Sequence, residues 1–102
     1  MKPGPKDHRH HIRITGDELR ELKKFTGLMA EAFGLDRKIE KYAGTRPITL
    51  YRWDIECLMD VTSMALDDPE AYPDKSAQEY QALARLDARL RAEYEAVYPG
   101  ES

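Results

Sequence analysis

The hydrophobic positions of this chain recur mostly at steps of three and four residues, which is the spacing of an amphipathic α-helix. The longest such pattern covers residues 48–67 and contains two neighbouring apolar rows. The first row is Ile48, Tyr51, Ile55, Leu58, Met59, Thr62 and Leu66, and the second is Leu50, Trp53, Cys57, Val61 and Met64. A surface helix has a single apolar stripe. The two rows therefore predict a central helix, with Trp53, Ile55 and Leu58 buried among its neighbours.

Two further stretches have a single apolar stripe each. One covers residues 17–33 and starts with a capping box made by Thr15 and Glu18. The other covers residues 76–98 and has a start signal of the same kind. A short helix at residues 36–43 connects the first long helix to the central one. The predicted fold is all-α: a small bundle of three long helices plus one short connecting helix.

Residues 9–15 break the helical spacing, because their apolar and polar positions alternate. Ile12 and Ile14 lie on one side together with His10. The other side carries Arg9, His11, Arg13 and Thr15. Alternation with β-branched residues predicts a short N-terminal β-strand. No other stretch offers a partner strand, so this one either pairs with its copy in a second chain or lies as extended coil against the helices.

Length and composition indicate a single domain. The chain has 102 residues, of which 34% are charged, and no apolar run reaches the length of a membrane span. Prolines and a glycine among charges predict a disordered basic tail at residues 1–8. The helical domain then covers residues 9–98, and residues 99–102 form a C-terminal tail. The single cysteine excludes an internal disulfide, so we expect a cytoplasmic location.

The net charge of −3 conceals an unequal distribution. Residues 1–46 contain eleven Lys and Arg against seven Asp and Glu, whereas residues 47–102 contain five against twelve. The first part therefore has a net charge of +4 and the second part of −7. Binding of nucleic acid by the whole surface is not supported, but binding by a local basic region remains open. Alternatively, the two oppositely charged parts face each other within the fold or across a dimer.

Few side chains show the spacing of a metal or nucleophile site. Asp7, His8, His10 and His11 are ligand types, but a metal site needs a folded frame to fix its geometry. A flexible basic tail is the preferred interpretation of this segment. Cys57 lies on an apolar row without a neighbouring base in the sequence, which favours a buried, inert thiol over a nucleophile.

Carboxylates on the predicted central helix are candidates for acid–base chemistry. They are Asp54, Glu56 and Asp60. Arginines on the last helix could pair with them, namely Arg85, Arg89 and Arg91. Because these carboxylates lie on the polar stripe, structural ion pairs are preferred over catalysis. We therefore predict that the protein is not an enzyme and has no catalytic residue, metal or cofactor.

Aromatic residues near the loops and the chain ends suggest a partner surface, since aromatics are enriched at interface centres. The candidates are Tyr72, Tyr80, Tyr94 and Tyr98. Packing at the edge of the core is the alternative interpretation of the same residues. The leading hypothesis from the sequence is a non-enzymatic helical protein that binds another protein or its own copy as a homodimer, without membrane contact.

The run of Ile12, Arg13, Ile14 and Thr15, followed by Leu19 and Leu22, resembles the opening of ribbon-helix-helix DNA-binding proteins. Residues 34–36 are similar to that family's turn into its second helix. The resemblance implies a dimer in which two copies of residues 9–15 pair antiparallel. Nucleic acid would then meet Arg9, His11, Arg13 and Thr15 in the major groove. Asp36 departs from the family pattern, as do the short second helix and the acidic second half.

Overall fold

The computed structural model describes residues 9–29 and 34–98 of the chain. The protein is mostly helical and also contains a two-stranded antiparallel sheet. In chain order the elements are strand β1 (His10–Ile12), helix α1 (Gly16–Leu22), a 3-10 segment (Lys23–Met29), helix α2 (Leu35–Lys41), strand β2 (Ile48–Leu50), helix α3 (Arg52–Leu66) and helix α4 (Gln78–Val97). The predicted tails at residues 1–8 and 99–102 lie outside the described residues, as does the end of the first predicted long helix at residues 30–33.

The sheet corrects the prediction that β1 has no partner within its own chain. β1 pairs with β2, with His10 opposite Leu50 and Ile12 opposite Ile48. The apolar rows predict the three residues of β2 as the start of the central helix, because a short apolar run fits both periodicities. β-branched Ile48 and Thr49 follow Pro47 and favour an extended backbone. The two strands form an intramolecular ribbon, and α3 begins only after it.

The first predicted long helix is also shorter in the structure. α1 ends at Leu22, and the chain continues as a 3-10 segment that is kinked at Phe25, whose φ is −116° and ψ is 18°. Gly27 lowers the helix propensity of this segment. The apolar stripe nevertheless packs as predicted, since Leu19, Leu22 and Met29 are buried.

The core lies where α3 packs against α4 and α4 packs against α1. Each long helix contributes one buried stripe to it. The stripe of α3 is Ile55, Leu58, Val61, Thr62 and Ala65, and that of α4 is Ala82, Leu83, Leu86, Leu90 and Tyr94. Trp53 is only partly buried, so its predicted place in the core is wrong. It lies in the first turn of α3, beside the ribbon and outside the packed stripe.

The start of α3 is fixed by a buried carboxylate. Tyr51 precedes the helix in an extended conformation, and its N–H donates a hydrogen bond of 3.0 Å to Asp54. A carboxylate at this position satisfies a backbone donor and suits the positive end of the helix dipole. Asp54 is only 4% exposed, so its predicted location on a solvated stripe is wrong. The Asp54 carboxylate therefore stabilises the first turn of α3 at the point where the ribbon ends.

Gly44 allows the chain to turn from α2 into β2. Its φ is +80°, which is a left-handed conformation that side chains rarely adopt. A Cβ atom there would also lie 3.2 Å from the Ile14 carbonyl oxygen. The turn therefore brings the chain close to the end of β1, and β2 can pair with that strand directly.

Candidate functional site

The ribbon has one buried side and one exposed side. The buried side carries the side chains of His10, Ile12 and Ile14, as the alternating pattern predicts. Arg9 and His11 lie on the opposite, exposed side with Arg13 and Thr15. His11 faces Thr49 across the ribbon, and its Nδ1 lies 3.2 Å from the threonine hydroxyl. His11 of β1 and the flanking Arg9 and Arg13 are therefore exposed to solvent, on the side of the ribbon that also carries Thr49 of β2.

A shallow depression adjoins this surface on the β2 side. Its volume is about 610 Å³, and it is lined by Lys38, Lys41, Tyr42, Arg46, Pro47, Ile48, Thr49 and Tyr51. None of these lining residues is acidic. Thr49 belongs both to the depression and to the exposed side of the ribbon, so the two regions are continuous. We call the surface formed by Arg9, His11, Arg13, Lys38, Lys41 and Arg46 the basic face.

Lys38 is held in place within the depression. Its ammonium group donates a hydrogen bond of 3.1 Å to the Thr49 carbonyl oxygen and lies 3.6 Å from the Asp54 carboxylate. It also lies 5.6 Å from the centre of the Tyr51 ring. These contacts join α2 to β2 and fix the wall of the depression. Lys38 is therefore partly neutralised, whereas its neighbours on the basic face are not.

Four cations of the basic face make no ion pair with any residue in the described parts of the chain: Arg9, Arg13, Lys41 and Arg46. All four are exposed. Three acidic side chains of the same half of the sequence are engaged elsewhere, whereas Asp36 and Glu40 of α2 make no ion pair with a described residue. Asp17 and Glu18 pair with arginines of α4, and Glu21 pairs with Lys24. The basic face therefore carries four exposed cations that no described carboxylate neutralises in an ion pair.

The acidic pair at the start of α1 is strongly stabilised in its charged form. Glu18 accepts hydrogen bonds from Arg85 and Arg89 at 2.9 and 2.7 Å. Burial by itself raises the pKa of Glu18, but hydrogen bonds from the Thr15 N–H and the two guanidinium groups outweigh it and lower the pKa. Hydrogen bonds from the Thr15 hydroxyl and Arg85 hold the pKa of Asp17 well below its usual range. This cluster locks α1 to α4.

An aromatic pair borders the depression. The rings of Tyr51 and Trp53 are stacked, with 5.1 Å between their centres and 15° between their planes. Both are partly exposed, and Tyr51 also lines the depression. Flat aromatic surface therefore lies directly beside Lys38 and the exposed cations.

The buried side of the ribbon is attached to α4. Nδ1 of His10 lies 2.7 Å from Glu93, and Nε2 lies 3.0 Å from the Tyr98 hydroxyl. Arg89 also donates a hydrogen bond to the Arg13 carbonyl oxygen. These contacts fix the ribbon to the C-terminal half of α4. The exposed side of the ribbon is therefore held in one orientation.

The tyrosines of the predicted partner surface do not lie together on the exterior. Tyr72 and Tyr94 are buried at 6% and 9% exposure, which removes them from a contact surface. Tyr80 and Tyr98 are partly exposed. Tyr72 donates a hydrogen bond of 2.8 Å to the buried Glu21 carboxylate. Tyr72 and Tyr94 therefore fit the alternative interpretation, in which these tyrosines pack at the edge of the core.

The side chains that were candidates for acid–base or nucleophilic chemistry do not form one cluster among the described residues. Glu56 accepts a hydrogen bond of 2.6 Å from Tyr94, which raises the pKa of that tyrosine. The predicted pairing of the α3 carboxylates with α4 arginines is wrong for Arg85 and Arg89, which contact α1. Arg91 instead pairs with Asp87 on its own helix. Cys57 is partly buried.

Asp7 and His8 of the possible metal cluster lie outside the described residues, and His10 and His11 point to opposite sides of the ribbon. Within residues 9–29 and 34–98, no group of three or more His, Cys, Asp or Glu side chains could hold a metal ion. No helix in the same ranges is both long enough and apolar enough to cross a membrane.

No protein family model matches this chain, and neither a curated protein nor a solved structure is detectably similar to it.

Half of the residues of the basic face could not be predicted from the sequence. Arg9, His11 and Arg13 follow from the alternating pattern of residues 9–15. Lys38, Lys41 and Arg46 do not, because only the pairing of β1 with β2 brings α2 and the following turn beside them. The available signal was the net charge of +4 over residues 1–46, which contain both groups.

Proposed function

We propose that this protein is a non-enzymatic nucleic-acid-binding protein that holds the sugar-phosphate backbone on its basic face. One observation carries the proposal: Arg9, Arg13, Lys41 and Arg46 are exposed on one continuous surface and make no ion pair with a described residue. Phosphates spaced along a nucleic acid would neutralise such a row of cations. Release of the counterions that condense on the nucleic acid would then drive binding.

The charge of the remaining surface favours one orientation. Residues 47–102 have a net charge of −7, and several of their carboxylates lie in the loop from Asp67 to Asp74. Like charge repels phosphate from that side, so the basic face is the favourable approach. An overall net charge of −3 is therefore compatible with binding through one local surface.

A two-stranded ribbon is a suitable element for this task, because the side chains on its exposed side project in a row along which a sugar-phosphate backbone can lie. The resemblance to ribbon-helix-helix proteins also implies contact of residues 9–15 with nucleic acid. In that family the ribbon needs two copies of the chain, whereas β1 and β2 here come from one chain. A monomer can therefore present the complete basic face, and dimerisation is not required for the proposed binding.

Fluorescence anisotropy with labelled oligonucleotides at low salt tests the proposal. We expect binding that weakens steeply as salt rises, and a loss of at least about tenfold in affinity for the double variant Lys41→Glu/Arg46→Glu. The matched control is Arg20→Glu/Lys75→Glu, which changes the net charge equally at exposed positions away from the basic face. It should bind within about threefold of the unmodified protein. Absence of binding at low salt, or equal losses in both variants, would contradict the proposal.

Association with another protein or a second copy as a homodimer is the second candidate. Leu28 and Met64 are large apolar side chains that are 52% and 54% exposed, and such side chains are suited to an interface. Light scattering should then give twice the mass of the chain, and Met64→Lys should return it to one. A single-chain mass at high protein concentration would exclude self-association.

A further inference from the structure

We infer that the stacked pair of Tyr51 and Trp53 is a platform for an unpaired base, so that the preferred ligand of the basic face is single-stranded nucleic acid. This inference depends on the proposed function and specifies the class of ligand within it. Phosphates would occupy the depression lined by Lys38, Lys41 and Arg46, and a neighbouring base would lie against the indole.

The aromatic pair is close enough to the cations for both contacts to involve one nucleotide chain. Tyr51 is itself a wall of the depression, and the Trp53 ring lies 5.1 Å from it. The Lys38 ammonium is 5.6 Å from the Tyr51 ring centre. Cations that follow the backbone beside aromatic rings that take the bases are the general arrangement for single-strand binding.

The platform is rigid before any ligand arrives. Tyr51 is held between β2 and α3, because its N–H donates to Asp54 and its carbonyl oxygen accepts a hydrogen bond of 3.0 Å from the Ile55 N–H. Trp53 belongs to the first turn of α3. These hydrogen bonds fix the backbone of Tyr51, and the two rings stack on each other, so binding a base would order little additional structure.

Trp53 is partly exposed, although it is a large apolar side chain. The apolar rows of residues 48–67 predict a buried indole, yet the buried stripe of α3 begins at Asp54 and Ile55. A partly exposed indole that stacks on Tyr51, beside the depression lined by Lys41 and Arg46, favours a ligand with both an aromatic face and a negative charge. A nucleotide in a single strand has both, whereas the bases of a duplex are stacked on each other and offer no free face.

The single tryptophan makes the test specific. Tryptophan emission is titrated with three labelled ligands of equal length: a single strand, the corresponding duplex and a single strand of abasic sugar-phosphate units. The same ligands are measured by anisotropy with the variants Trp53→Leu and Trp53→Phe, after thermal unfolding has shown that both are folded. The phenylalanine variant retains a ring and serves as the matched control.

We expect the single strand to quench tryptophan emission and to bind about tenfold more tightly than the duplex or the abasic ligand. Trp53→Leu should lose about tenfold in affinity for the single strand, and Trp53→Phe about threefold or less. Equal affinities for the three ligands, or an unchanged affinity in Trp53→Leu, would overturn the stacking inference. If those ligands still bound and Lys41→Glu/Arg46→Glu still weakened them, the proposed function would stand without it. Failure of every ligand to bind would overturn both.

Discussion

Glu18 on α1 and Arg89 on α4 form an ion pair of 2.7 Å in which the carboxylate side chain has no exposed surface. Arg85 contacts the same carboxylate from the preceding turn of α4. A buried carboxylate is tolerated only when its oxygens are paired and hydrogen-bonded. This pairing fixes α1 against α4.

Replacing Glu18 by glutamine should destabilise the protein by about 2 kcal/mol, because charge-assisted hydrogen bonds to both arginines are lost. Urea unfolding followed by circular dichroism measures the change in the free energy of unfolding. Glu95→Gln is the control, since Glu95 lies exposed on α4. A loss for Glu18→Gln no larger than that of the control would contradict a stabilising role for the pair.

The same carboxylate predicts a pH dependence. The pKa of Glu18 is lowered in the folded protein, so its ion pairs contribute fully above the ordinary glutamate value of about 4.3. That contribution is lost as the pH falls through the lowered value of the folded state. The stability difference between the unmodified protein and Glu18→Gln should therefore be constant from pH 7 to about 5 and shrink below about 4. A difference that stays constant into strong acid would exclude this linkage.

Tyr72→Phe should destabilise the protein by about 1.5 kcal/mol, because Glu21 would lose a buried hydrogen-bond donor. Glu21 is 2% exposed, and Lys24 contacts the same oxygen from the exposed side. Burial and the Glu21 carboxylate raise the pKa of Tyr72, so the hydroxyl stays protonated at neutral pH. Tyr80→Phe is the matched control, because the Tyr80 hydroxyl makes no hydrogen bond with a residue that the structure describes. Equal stabilities of the two variants would show that the Tyr72 hydroxyl contributes nothing.

The ribbon can be tested by an engineered cross-link. His11 and Thr49 are directly opposite, and opposite residues of antiparallel strands have Cα atoms about 5 Å apart, within the range of a disulfide. The variant His11→Cys/Thr49→Cys, with Cys57→Ala to remove the native thiol, should oxidise to a cross-linked single chain. Non-reducing electrophoresis and intact mass distinguish this product from a covalent dimer. A dimer that forms even at high dilution would favour pairing between two chains.

The alternating residues before α1 could be interpreted from the sequence because their pattern has one meaning. His10, Ile12 and Ile14 are buried and their neighbours are exposed, as a period of two requires. The capping position of Glu18 was also recognisable, since its carboxylate accepts a hydrogen bond of 3.0 Å from the Thr15 N–H. What the pattern could not indicate is that Glu18 also reaches two arginines about seventy positions along the chain.

Residues 48–50 show why the rest of the site was missed. Ile48 and Leu50 fit the apolar rows of the following helix as well as the buried side of a strand, and their number is too small for periodicity to decide. Pairing with β1 determines that residues 48–50 form a strand, and this pairing is a contact between segments that are distant in the sequence. A helix over residues 48–50 would contain neither the depression beside Thr49 nor a partly exposed Trp53, so the sequence did not predict these features.

The attachment of β1 to α4 through His10 and Glu93 has a consequence for the order of events during synthesis. Strand β1 is translated first, but its buried side is complete only when Glu93 of α4, 83 positions after His10, has emerged. Contacts of such long sequence separation form late in folding. The cationic surface should therefore be absent from the nascent chain while it passes the ribosomal RNA, and it should appear only as the last helix docks. Amide hydrogens of β1 that exchange as slowly as those of α4 would show that the two segments are acquired together.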